Sequence, residues 1–229
     1  VKPEAQITSS PAVWVPSPPT DVHVRTLLER KPFARYLANS AFVSLAATLL
    51  ALAAAAPAAA ALCRMRPRAR SRGLLGLLLA SLFPPILLLF PLYEGVRLLG
   101  LVNSPLALVL PYAAFGVPLA TWVLEAGFRE LPREVEEAAT LDGLGPLGRL
   151  LRVQLPLAAP SVAAAGLLTF IASWNEFLLA LSFTTRESSR TVTAGIASVS
   201  GASLYEVPWG PLSAAVVLAT LPVVLLVLL

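Results

Sequence analysis

Hydrophobic positions in this chain fall in long unbroken blocks, not at a period of two and not in short clusters. Ala41–Leu62 carries no polar side chain other than Ser44 and Thr48. Gly73–Tyr93 and Pro105–Leu124 are uncharged, Leu157–Phe183 carries the single charge of Glu176, and Pro211–Leu229 carries none. About 18 apolar residues suffice to cross the hydrocarbon of a bilayer as a helix. The pattern therefore predicts five spans in an all-α, polytopic transmembrane helix bundle. Transmembrane β-strands would show segments of about ten residues with alternating polarity, and no such segment is present. The expected organisation is a segment 1–36 outside the membrane, then a transmembrane domain over 37–229 with a large loop at 129–156.

Composition fits this reading. Of 229 residues, 57% are hydrophobic and 13% charged, where a soluble domain carries roughly a quarter charged. Mean hydropathy is +0.77. Prolines are frequent in the blocks (Pro57, Pro84, Pro85, Pro91, Pro111, Pro118, Pro222); each permits a kink, in a moving or a static bundle alike. Cys63 and His23 are each the only residue of their kind. No intrachain disulfide or thiolate cluster can form, no metal site is predicted, and His23 is expected to be solvated. No Ser-His-Asp constellation or carboxylate pair lies within a span, which weighs against a membrane enzyme.

Charge orients the bundle. The net charge is +4, from 15 Arg and 2 Lys against 13 acids, too few cations to suggest nucleic-acid binding. Arg64, Arg66, Arg68, Arg70 and Arg72 crowd between the first two blocks with no acid among them. Such loops stay cytoplasmic. The bias alternates along the chain, placing 63–72 and 125–156 in the cytoplasm and 1–36, 94–104 and 184–210 outside. On this reading the arginine cluster is a solvated topology signal and Glu125 an interfacial charge. The chain starts at Val1 in a proline-rich polar segment and ends at Leu229 inside an apolar run, so a further span before it and a cytoplasmic tail after it are expected. No signal peptide is visible.

One stretch is both charged and well punctuated, "EEAATLDGLGPLGRLLRVQLP", Glu136 to Pro156. It contains a literal G-x-G-x-x-G at Gly143, Gly145 and Gly148. A dinucleotide fingerprint needs a strand before its first glycine, yet "LPREVEEAATLD" is helical. A phosphate-binding loop fails too, because Arg149 and Leu150 replace Lys and Ser/Thr and Pro146 removes an N–H. What remains is helix, turn, helix. Pro132 suits the first helical position, Glu134, Glu136 and Glu137 complement the dipole, and Gly143 fits the left-handed position that ends a helix. The second helix is expected over about Pro146 to Val153. Val135, Ala138, Ala139 and Asp142 share one face of the first, where two alanines let another backbone approach and flanking acids suit a partner's arginine. A helix lying on anionic lipid would be basic; this acidic one points to a protein partner.

The same stretch resembles the EAA loop of ABC-importer permeases: E-A-A, three residues, Gly, and later a hydrophobic residue, any residue, and L-P. Here these are Glu137, Ala138, Ala139, Gly143, Val153, Leu155 and Pro156. "SSPAVWVPSPPT", "ARYLANSAFVS", "SWNEFLLAL" and "LATLPVVLLVLL" resemble the carbohydrate-uptake branch, in particular its maltose-type second permease, and the resemblance covers essentially the whole chain. It implies a type I importer permease fold with a sixth helix at the N-terminus. It implies also that the loop docks in a cleft of a cytoplasmic ATPase through Glu137, Ala138, Ala139, Asp142, Gly143, Leu155 and Pro156, with Glu137 on a basic residue there. Leu150 departs from the pattern, standing where an aromatic is common.

"SWNEF" sets Trp174, Asn175 and Glu176 in the fourth block. A charge within a span costs on the order of 2.5–3.5 kcal/mol and usually faces the bundle or a watery cavity. Two readings stand. In one the three residues line a translocation path, the amide and carboxylate bonding hydroxyls and the indole offering an apolar face. In the other Glu176 makes a structural hydrogen bond or sits near the outer interface.

The expectation is thus one permease subunit of a binding-protein-dependent ATP-driven importer in a bacterial or archaeal cytoplasmic membrane, carrying a sugar or oligosaccharide. The same machine with a polyol, glycerol phosphate, amino acid or osmolyte as cargo is the alternative. The chain hydrolyses nothing and holds no cofactor; ATP and Mg²⁺ belong to a separate ATPase homodimer. A second permease and an external solute-binding protein complete the assembly.

Overall fold

The computed structural model describes residues 20–199 and 208–228, together with Pro3 and Val15. The described residues form two compact units. One draws on Val1–Phe42, Val102–Pro105 and Glu176–Leu229; the other is Val43–Leu101 with Leu106–Asn175. All regular structure among the described residues is helical.

The larger unit holds the loop of interest. Into it runs α2 (Phe33–Arg64), followed by α3 (Pro67–Ser81), α4 (Pro85–Leu98) and α5 (Leu106–Arg129). Then come α6 (Arg133–Leu141), α7 (Pro146–Arg149), a π-helical turn at Leu150–Gln154, α8 (Leu155–Leu157) and α9 (Ala159–Asn175). Lipid gives helices no hydrophobic reason to associate, so close van der Waals packing through small side chains does the work. In α2, Val43, Ala47, Ala51, Ala55 and Ala59 recur every four residues and are fully buried. Between α5 and α9 the backbones meet over glycines. A methyl on Gly116 would stand 2.6 Å from Thr169 Cγ2, and one on Gly127 would overlap the side chain of Ser161. Ala120, Leu124, Phe128, Leu150, Ala158 and Ala165 join this core, with Leu155 packed at its edge.

Among the described residues three helices (α2, α5 and the last, Trp209–Leu228) are long and apolar enough to cross a membrane, or up to five spans if two bent pairs each count once. The second predicted span is not one rod. It breaks between α3 and α4 with a bend of 79°. Pro85 disfavours the helical region for the residue before it, and Pro84 turns extended at ψ 122°. The helix also starts earlier than predicted, at Pro67, so Arg68, Arg70 and Arg72 lie on a helix and the expected loop shrinks to Met65 and Arg66. The fourth predicted span is bounded by an 86° bend at Ala158 and ends at Asn175. The chain resumes as α10 (Leu178–Phe183).

The smaller unit contains α1 (Val22–Arg30), the start of α2, α10, α11 (Val192–Ala197) and α12 (Trp209–Leu228). Helix α1 lies within the polar, proline-rich segment 1–36, for which no helix is predicted. Its His23 is buried, not solvated: a methyl on Gly210 of α12 would overlap the imidazole. Asn39 Nδ2 donates to the carbonyls of Ser188 (3.1 Å) and Arg190 (2.9 Å), which fixes α2 two turns beyond the predicted span. Asn103, at φ 65°, accepts from Thr185 Oγ1 and the Arg186 N–H, both at 2.8 Å. Most of "SSPAVWVPSPPT", residues 200–207 of the predicted outer loop, and Leu229 lie outside the described residues.

Candidate functional site

The loop begins where Pro132, extended at ψ 132°, caps α6. Glu134 and Glu136 lie in the first turn, beside the positive end of the helix dipole. The helix stops in a Schellman turn: Gly143 N–H donates to Thr140 O (3.1 Å) and Leu144 N–H to Ala139 O (3.0 Å). That geometry needs a left-handed residue, and Gly143 sits at φ +81° with open space where a Cβ would point. The expected role of Gly143 is therefore met by geometry. Pro146 then opens α7, whose chain continues through the π-turn to Leu157, past the Val153 end predicted for this helix.

The loop is tied to itself by side chains. Gln154, fully buried, donates from Nε2 to Glu136 Oε1 at 2.6 Å. Arg149 Nη1 donates to Thr140 Oγ1, which in turn donates to the Glu136 carbonyl at 2.8 Å. These bonds hold α6 against the returning segment and leave its far side open.

That far side divides the predicted residues. Glu137, Ala138, Asp142, Gly143 and Pro156 are exposed, Leu155 is half-buried, and Ala139 is buried. The two alanines thus do not share an open face. Ala139 lets α6 pack on α7 and the π-turn within the loop, and Ala138 alone is available for close approach from outside. Sequence reasoning passed over Leu141 and Leu147, 89% and 66% exposed, which add an apolar tip beside the acids. Their signal in the sequence is position alone: a leucine on either side of the glycine turn. Gln154, a buried amide between apolar neighbours, was also missed.

At the base of the loop stands Glu125, 3% exposed. Arg70 Nε lies 3.5 Å from its Oε1 and Arg129 Nε 3.9 Å, and the Cys63 thiol donates to its carbonyl at 3.5 Å. Glu125 is a buried ion-pair centre joining α3 and α5. Arg70 is correspondingly a structural residue, paired to Glu125 and only partly open to water.

The three polar residues of the fourth block part company. Trp174 is buried and stacks on Phe170 with ring centroids 5.6 Å apart. Asn175 is exposed, its Nδ2 donating back to Ile171 O at 2.9 Å. Glu176 accepts from the N–H groups of Leu179 (3.1 Å) and Ala180 (3.2 Å), capping α10, and its carbonyl accepts from Thr193 Oγ1 at 2.8 Å. Within the larger unit an apolar cavity of about 820 Å³ is lined by Leu78, Pro118, Trp122, Gly127, Glu130 and Ser161 among others, and by none of these three. Among the described residues no group of three His, Cys, Asp or Glu side chains is placed to hold a metal ion.

Comparison with known proteins places this geometry. Residues 41–229 match the family described as binding-protein-dependent transport system inner membrane component. The sulfoquinovosyl glycerol transport system permease protein SmoH of Agrobacterium fabrum is 38% identical, over 99% of this chain and 79% of that protein. The trehalose/maltose transport system permease protein MalG of Thermococcus litoralis is 40% identical over 86% and 70%. The trehalose transport system permease protein SugB of Mycobacterium tuberculosis is 36% identical over 93% and 78%. In fold, the chain is similar to a bacterial ABC transporter involved in the import of the acidic polysaccharide alginate, with TM-score 0.78, 22% identity, and coverage of 98% of this chain and 83% of that one. The match over residues 41–229 and the identity to these relatives show that the chain belongs to this family: it is a membrane permease subunit of binding-protein-dependent transport systems.

Proposed function

We propose that this permease carries a sugar or oligosaccharide and forms one half of the pathway, with a second permease as the other half. The cargo class is supported by the names of the relatives, whose solutes are glycosides and disaccharides. The loop Arg133–Pro156 is the observation that carries the reading. It is internally cross-bonded, so it moves as a body, and its open side offers Glu137, Ala138, Leu141 and Asp142 to a partner. A cytoplasmic ATPase dimer that binds ATP and Mg²⁺ is the partner this surface suits. The permease itself hydrolyses nothing, and closure of the ATPase pulls the loop and rocks the helices. A soluble binding protein delivers solute on the opposite side.

Of the polar trio, Asn175 is the residue that suits a path, since its Oδ1 remains available on an exposed amide. The bonds of Glu176 support its structural reading. The test is reconstitution of the complex in vesicles with each solute class offered by its binding protein. Glu137→Arg is expected to abolish uptake while ATP hydrolysis and membrane insertion persist. Normal uptake in that variant would remove the docking role. Uptake of amino acids or polyols with no sugar transported would remove the cargo class and leave the docking intact.

A further inference from the structure

We propose that one face of α3 is a seat for an anionic phospholipid, its phosphate held by Arg68 and Arg72 with Arg64 and Arg66 beside them. The five arginines of this stretch divide in two. Arg70 turns inward to Glu125. The other four are exposed, and among the described residues none of them forms an ion pair. No acid occurs in the sequence from Arg64 to Tyr93. A topology signal requires only positive charge; the spatial order here goes further.

Arg68, Arg72, Leu75, Leu79 and Leu82 follow one another at spacings of four, three, four and three, which puts them on one helical stripe. Leu75, Leu79 and Leu82 are 53%, 60% and 68% exposed, and no residue of α3 is buried. Residues on the other side of the helix make its protein contacts: Arg70 to Glu125, and the Leu74 carbonyl to Trp122 Nε1 at 3.1 Å. The outer stripe is therefore cationic at one end and apolar along the rest. From Arg72 to Leu82 it spans roughly 15 Å at about 1.5 Å per residue, close to half of a hydrocarbon core about 30 Å thick. Guanidinium forks match phosphate oxygens, and the leucines supply a track for one acyl chain. A free anion would engage the arginines alone; a lipid engages the arginines through its phosphate and the leucines through an acyl chain.

The test uses the full permease in its complex, in nanodiscs of phosphatidylcholine with or without phosphatidylglycerol, followed by mild release and mass measurement of retained lipid. Phosphatidylglycerol is expected to be retained over phosphatidylcholine. At about 1 kcal/mol per cation, Arg68→Gln with Arg72→Gln weakens that preference roughly thirtyfold, while Arg64, Arg66 and Arg70 remain to fix orientation. Arg68→Lys with Arg72→Lys keeps orientation and part of the preference. Equal retention of the two lipids by the unaltered complex overturns the proposal without recourse to any variant. An unchanged preference in the glutamine variant overturns it also. Complete displacement by inorganic phosphate, independent of acyl-chain length, would make the site one for a free anion. Hydrogen exchange over 64–82 that slows with the ATPase subunit and not with phosphatidylglycerol would put a protein there. Neither outcome is compatible with a lipid seat.

Discussion

At the scale of single residues, two glycines illustrate different physical demands. Gly143 is required for its backbone: φ is +81° and nothing stands near the missing Cβ. Gly143→Ala therefore costs strain alone, on the order of 1–2 kcal/mol, and is expected to loosen coupling of ATP hydrolysis to uptake without impairing insertion. Gly127 is required for its size, because a methyl there meets the side chain of Ser161. Gly127→Ala should destabilise by roughly 1–3 kcal/mol, read as a lowered melting temperature in detergent, and Ser161→Gly in the same chain should recover most of it. A Gly127→Ala melt equal to that of the unaltered chain would mean that α5 and α9 do not approach this closely. Glu176 makes a third case. Its carboxylate caps α10, so Glu176→Ala is expected to cost about 1 kcal/mol and to leave solute selectivity unchanged. A changed selectivity would return it to the path.

At the scale of elements, the ion-pair centre at Glu125 decides how α3 and α5 move. A carboxylate buried between two helices is tolerated because Arg70 and Arg129 both reach it; removing one member of a buried pair leaves the other uncompensated. Both arginines retain access to water, at 23% and 54% side-chain exposure, so the cost of Glu125→Gln falls well below that of a sealed pair. Its expected effect is a weakened α3–α5 association, measured by cross-linking cysteines introduced at residues 78 and 126, while α6 and its turn stay folded. The elements themselves were largely legible in the sequence, because block hydrophobicity and the turn chemistry of Pro132, Gly143 and Pro146 are local. What was not legible depended on contacts between distant segments. Ala138 and Ala139 look alike until the return of Gln154 onto Glu136 decides which side is covered. Helix α1 lacks any span-length signal, and its buried face, His23 and Leu27, exists only because α12 packs there. The break at Pro84–Pro85 was readable in principle, since X-Pro restricts the preceding residue, but hydropathy alone passes over it.

At the scale of the whole molecule, the smaller unit carries a pH dependence of its own. Lys31 Nζ stands 2.7 Å from Glu187 Oε1, and the ammonium holds the Glu187 carboxyl below the ordinary carboxylate range. A depressed carboxylate pKa adds stability above its unfolded value and loses it as pH falls through the folded one. The unaltered chain should accordingly melt above Lys31→Met at neutral pH, and the two should converge in acid below the ordinary carboxylate range. The gap should also shrink with salt, because both side chains are partly open to water. A gap that persists in acid would assign the effect of Lys31 to packing and not to charge. For the larger unit, the π-helical turn at Leu150–Gln154 sets a different condition. A π turn accommodates one residue more than an α turn. Deleting a single residue inside that turn would restore α geometry and leave its flanks nearly in phase, whereas deleting one from α7 beside it would rotate everything upstream by about 100°. The knob and the span are thus geared at a fixed angular phase. Coupling in this subunit depends on the number of residues between tooth and shaft as strictly as on their identity.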